Sequence, residues 1–98
     1  MRSDSGIIKN SSVKIIVSGI VQGVGFRYFI ARIANEYDLK GYVKNQFNGD
    51  VEIVAEGRKE FVKDLAKKAK IGPSHARVEN IQIQWLDFKN KYNKFETR

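Results

Sequence analysis

Tyr42-Val43-Lys44-Asn45-Gln46-Phe47-Asn48-Gly49-Asp50-Val51-Glu52-Ile53-Val54-Ala55-Glu56 reads as two strands folded back around a turn. Asn48-Gly49 is the hairpin signal, because both residues tolerate positive φ. The first arm runs from Tyr42 to Gln46. The second runs from Val51 to Glu56, with Val51, Ile53 and Ala55 on one face, and Gly57 breaks it. Upstream, Phe26, Phe29, Ile30, Ile33, Ala34 and Tyr37 recur at spacings of three and four, the apolar stripe of an amphipathic helix. Leu39-Lys40-Gly41 turns that helix into the hairpin. Downstream, Phe61, Val62, Leu65, Ala66 and Ala69 mark a second helix. Lys67, Lys68 and Lys70 near its end suit the negative pole of the helix dipole, and Gly72-Pro73 closes it.

Strand patterns flank both helices. Val13-Lys14-Ile15-Ile16-Val17 is β-branched and alternating. Arg77 to Phe88 alternates again, with Ile81, Ile83 and Trp85 on one face, and Phe95-Glu96-Thr97 allows a short fifth strand. The order is β-α-β-β-α-β, the split βαβ or ferredoxin-like pattern. The expected fold is therefore an α+β sandwich: a four-stranded antiparallel sheet with both helices on one face.

The 98 residues suit one domain, and 42% of them are hydrophobic, enough for one core. There is no cysteine, which removes disulfides and thiolate chemistry and suits a reducing compartment. The formal net charge of +7 draws anions. No apolar stretch is long enough to span a bilayer. Met1 to Ser12 lacks the apolar core and cleavage site of a signal peptide, so it is expected to be a mobile tail on a cytoplasmic, monomeric protein whose domain spans residues 13–98.

Between the first strand and the first helix lies Gln22-Gly23-Val24-Gly25-Phe26-Arg27. The two glycines let the backbone bend and approach a ligand. Successive N–H groups can form an anion nest, and the helix start adds free donors and partial positive charge. Arg27 offers a planar fork that matches phosphate. The bland alternative is a strand-to-helix turn whose glycines serve only packing. Neither a third glycine of G-x-G-x-x-G nor a G-K-[ST] is present.

Gly19-Ile20-Val21-Gln22-Gly23-Val24-Gly25-Phe26-Arg27 resembles the first signature of the acylphosphatase family. Gly41-Tyr42-Val43-Lys44-Asn45, followed by Gly49, Val51 and Gly57, resembles the second. Gly72-Pro73 and the ending Phe95-Glu96-Thr97-Arg98 match weaker features. The resemblance implies hydrolysis of the carboxyl–phosphate bond of acyl phosphates. It implies that the phosphate lies among the backbone amides of Gln22, Gly23, Val24, Gly25, Phe26 and Arg27. It makes Arg27 the phosphate-binding side chain and Asn45 the residue that orients the attacking water. It implies no metal or organic cofactor, and inorganic phosphate as product and inhibitor.

The remaining residues suit that chemistry. His75, the only histidine, sits in a polar loop and is expected to be solvated. Glu52 and Glu56 share a strand face and are expected to be ordinary solvent-facing charges. An acyl phosphate needs neither a metal nor an acid, because its leaving carboxylate has a conjugate-acid pKa of about 4. What remains is to position water and to stabilise phosphoryl charge. The Asn45 amide offers both a donor and an acceptor, although an asparagine before a hairpin is also a common turn residue.

Two other readings compete. RNA recognition modules share the element order, and Lys40-Gly41-Tyr42 with Phe47 echoes part of their motif, but on the second strand rather than the third. A regulatory domain of the same fold would bind a small anion without turnover.

Overall fold

The computed structural model describes residues 8–98. In chain order the elements are β1 (Asn10–Ile20), α1 (Phe26–Glu36), β2 (Lys40–Asn45), β3 (Val51–Arg58), α2 (Lys59–Ile71), β4 (Arg77–Leu86) and β5 (Phe95–Thr97). The βαββαβ order is as the sequence predicts. The strands form one sheet in the order β4-β1-β3-β2-β5.

Alternation along β1 and β3 builds the core. Val13, Ile15 and Val17 pair opposite Ala55, Ile53 and Val51, and all six are fully buried. With Val43 of β2 they meet Phe26, Ile30, Ile33 and Ala34 of α1 and Val62, Leu65, Ala66 and Ala69 of α2. Each fully buried side chain of Val, Leu, Ile or Phe size contributes about 1.5–3 kcal/mol of transfer free energy. The helices are tied to each other by Tyr37 of the α1 C-cap, whose hydroxyl donates to Asp64, while Lys68 also bonds Asp64. Those two hydrogen bonds hold the Asp64 carboxyl below its usual range, the Lys68 contact contributing most.

Several details of the sheet differ from the sequence expectation. The first strand begins at Asn10, not Val13; Ser12 is buried, and Lys9 accepts a bond from the Lys59 amide. Asn10 to Ser12 thus belong to the sheet, and residues 1–7 of the expected tail lie outside the described residues. Second, Gly57 does not break β3. It pairs with Ser11, and a Cβ there would lie 2.6 Å from the buried Leu39 side chain. Third, the sheet is not purely antiparallel: β5 pairs parallel to β2, Gly41 opposite Phe95. Ile81, Ile83 and Trp85 share the core face, as expected; because β4 lies at the sheet edge, Ile83 and Trp85 stay 41% and 48% exposed.

Glu52 and Glu56 overturn their expected role as solvent-facing charges, being only 7% and 2% exposed. The strand order explains this. β4 and β5 occupy opposite edges, and the connection between them passes over the face away from the helices. There the Tyr92 amide donates to Glu56 at 2.9 Å, and its ring packs edge-on against Tyr42. Glu52 accepts from the Tyr42 hydroxyl and from Gln46 Nε2. Burial, helped by the Glu52 hydrogen bond and charge, pushes the Tyr42 phenol well above its usual value. This covered face carries Tyr42, where an RNA-binding sheet would need an open aromatic platform. Glu56→Ala is expected to cost about 1–3 kcal/mol by leaving the Tyr92 amide without its acceptor. Glu56→Gln, which keeps an acceptor, should cost much less; urea unfolding of the two variants checks this.

Candidate active site

The hairpin sets one wall of the site. Its loop is three residues long, Phe47 to Gly49, between the bonded pair Gln46 and Asp50. Gly49 alone takes positive φ; the Asn48 side chain instead accepts from the Asp50 amide at 3.0 Å. This ends β2 at Asn45, whose partner on β3 is Val51. Asn45 is thereby exposed at the end of the sheet from which the Val21–Gly25 loop departs.

The loop is held from both sides. Gln22 Nε2 donates to the main-chain oxygens of Gln46 at 2.7 Å and Asp50 at 2.9 Å, fastening the loop to the hairpin. Val21 and Phe26 are buried at its two ends. Between them Gly23 and Gly25 adopt φ of 75° and 80°, the left-handed region that other residues enter at a cost. A Cβ added at either glycine would meet nothing within 4 Å. Packing therefore does not explain these glycines; the bend does, and it leaves open space against the backbone. Gly25 is the N-cap of α1 and provides no side-chain cap, and the first turn carries no acidic residue. The free N–H groups of that turn and their partial positive charge stand uncompensated by a local carboxylate.

Arg27 lies in this first turn. Its Nη1 donates to the main-chain oxygen of Arg98 at 2.7 Å, across the end of β5. The rest of its fork remains for a second acceptor. Arg98 itself lies over the Tyr42 ring at 4.2 Å, so Arg98 is held on two sides.

These pieces surround one cavity of about 280 Å³, lined by Val21, Gly23, Gly25, Phe26, Arg27, Tyr28, Asn45 and Thr97. That is near the lower end for small-molecule sites. Arg27 and Asn45, 18 residues apart in sequence, share it. Gln22 and Val24, also predicted for the cradle, do not line it. The Gln22 side chain turns to the hairpin side, and Val24 turns to a groove between the helices. Sequence reasoning missed Tyr28, Thr97 and the anchoring role of the Gln22 side chain. His75 is exposed in its loop, as expected. Among the described residues no three His, Cys, Asp or Glu side chains gather as metal ligands.

Comparison with known proteins decides the family. A model of the acylphosphatase family matches residues 13–97. The chain belongs to the acylphosphatase family. The acylphosphatase of Caldanaerobacter subterraneus subsp. tengcongensis is 40% identical over 84 residues, 86% of this chain and 93% of that one. That of Caldivirga maquilingensis is 44% identical over 87 residues, 88% and 92% of the two chains. The crystal structure of the Bacillus subtilis acylphosphatase superposes with a TM-score of 0.85 at 35% identity, over 90% of this chain and 98% of that one. Membership of the acylphosphatase family brings the reaction class with it: the chain is a hydrolase of acyl phosphates. No helix among the described residues is long and apolar enough to cross a membrane.

Proposed function

We propose that the cavity between the Gly23–Arg27 turn and Asn45 is where an acyl phosphate is hydrolysed, with Arg27 as clamp and Asn45 as guide for water. The observation that carries this reading is the single cavity holding all of these groups. The substrate's phosphoryl oxygens take the N–H groups of the turn residues that line the cavity, Gly23, Gly25, Phe26 and Arg27, and the free part of the Arg27 fork. Charge-assisted, bidentate contacts of this kind are the strong ones. Asn45, at the open end of β2, holds a water against phosphorus. The water oxygen bonds to phosphorus as the bond from phosphorus to the acyl oxygen breaks. The electron pair leaves with the carboxylate, and the water's proton passes to a phosphoryl oxygen. With a leaving group of conjugate-acid pKa about 4, no general acid is required. The side chains supply position and charge stabilisation, the main needs of phosphoryl transfer.

Inorganic phosphate, as product, fits the same cradle and is expected to inhibit. The protein is proposed to work as a monomer in the cytoplasm, in keeping with its lack of cysteine. Incubation with acetyl phosphate, following release of phosphate, tests the activity. Hydrolysis well above the spontaneous rate is expected; a rate equal to the spontaneous one overturns the reading and leaves a binding domain.

A further inference from the structure

On its helix side the cradle adjoins a second, larger space. A groove of about 640 Å³ runs between α1 and the C-terminal end of α2. Gly25 and Tyr28 line both the groove and the cradle cavity, so the two adjoin. Its walls are mainly apolar, with Val24, Phe29, Ile33, Ile71 and Pro73, and Tyr28 at the junction; Arg32, Glu36 and Lys68 also line it. Of its basic groups, Lys68 is engaged with Asp64 at 2.5 Å, while Arg32 stands 3.9 Å from Glu36, which offsets its charge. Ile71 and Tyr28 are 76% and 71% exposed, two large apolar side chains that no packing in the domain explains.

Placement gives the groove a use. Asn45 and Thr97 come from the sheet, from β2 and β5, against which α1 packs. The groove lies in the helix layer, towards α2, which packs over β1, β3 and β4. In-line displacement puts the attacking water and the leaving group on opposite sides of phosphorus. With the water on the sheet side, as proposed for Asn45, a leaving carboxylate directed to the helix side would pass Gly25 and Tyr28 and meet the groove. We infer that this groove is the acyl subsite and that it favours acyl phosphates with an extended apolar chain over short or charged ones. The inference rests on the proposed active site.

Acetyl and hexanoyl phosphate separate the two ideas. Their leaving groups have nearly the same acidity, so a difference between them reports contacts rather than reactivity. A fully buried methylene is worth about fourfold in an equilibrium. In an open groove the four extra methylenes of hexanoyl phosphate should raise kcat/KM about tenfold over acetyl phosphate. Ile71→Ser should reduce that ratio about threefold while acetyl phosphate turnover stays unchanged, since Ile71 lies outside the cradle and the core. Ile71→Met should keep the ratio. A wild-type ratio near one, or an Ile71→Ser loss equal for both substrates, overturns the acyl subsite while the cradle reading survives. Absence of hydrolysis of both substrates overturns the active site and the subsite together.

Discussion

Arg27→Lys is expected to lower kcat/KM for acetyl phosphate by about a hundredfold to a thousandfold, the scale for losing a preorganised donor at a transition-state oxygen. Charge is retained, so long-range attraction is not the cause. In the structure the guanidinium spends one nitrogen on the Arg98 oxygen and still faces the cavity. A planar fork can serve both acceptors at once. An ammonium is a point donor on a flexible stem, and it must share or choose. Inhibition by inorganic phosphate should weaken in parallel, because the same fork is proposed to hold the product. Steady-state kinetics with phosphate as a competitive inhibitor measures both, and near-normal constants would show that Arg27 is not the clamp.

Asn45→Ala should separate turnover from binding. The side chain lies at the end of β2, exposed and outside the core, so stability should hardly change. Losing the group that orients water is expected to reduce kcat about a hundredfold or more. The inhibition constant of phosphate should stay within about twofold, since the cradle amides and Arg27 remain. If turnover and phosphate affinity fall together, Asn45 belongs to binding and the water needs another guide.

The hairpin was legible because its cause is local. A glycine at position 49 takes φ of 97°, and the asparagine before it accepts from the amide two residues on. Even there the loop holds three residues, and Asn48 acts through its side chain rather than through positive φ. The helices were legible for the same reason: an apolar stripe of spacing three and four has few other uses. What could not be read depends on neighbours distant in sequence. Glu52 and Glu56 look like exposed charges until strand order sends the polar stretch after β4 across them. The parallel pairing of β5 with β2 rests on three residues about 50 positions away, and no periodicity marks it. Without it, Thr97 could not be expected in the cavity.

The site shows the same division. Gly23, Gly25 and Arg27 allowed an anion nest by their own chemistry, but a packing turn fitted them as well, and the resemblance to a family chose between the two. Asn45 was an ordinary turn residue by its own chemistry, and its role was implied by the resemblance to a family. The structure supplies the physical link, since Gln22 fastens the loop to the hairpin that presents Asn45. An amide of that kind looks like any surface glutamine in a sequence, and no motif chemistry announces its two carbonyl partners.

The central place of β1 has a consequence for how the enzyme comes into being. Val13 pairs with Ala55 on one side and Trp85 on the other. The strand that leads into the cradle therefore gains its neighbours only after two long loops of chain have closed, each against chain entropy. Folds built on such distant pairings assemble slowly. A fragment of residues 13–37 would carry every cradle residue and none of the pairings that hold them. The cradle is local in sequence and global in origin, so the enzyme cannot be pared down to its motif, and activity marks the completion of folding.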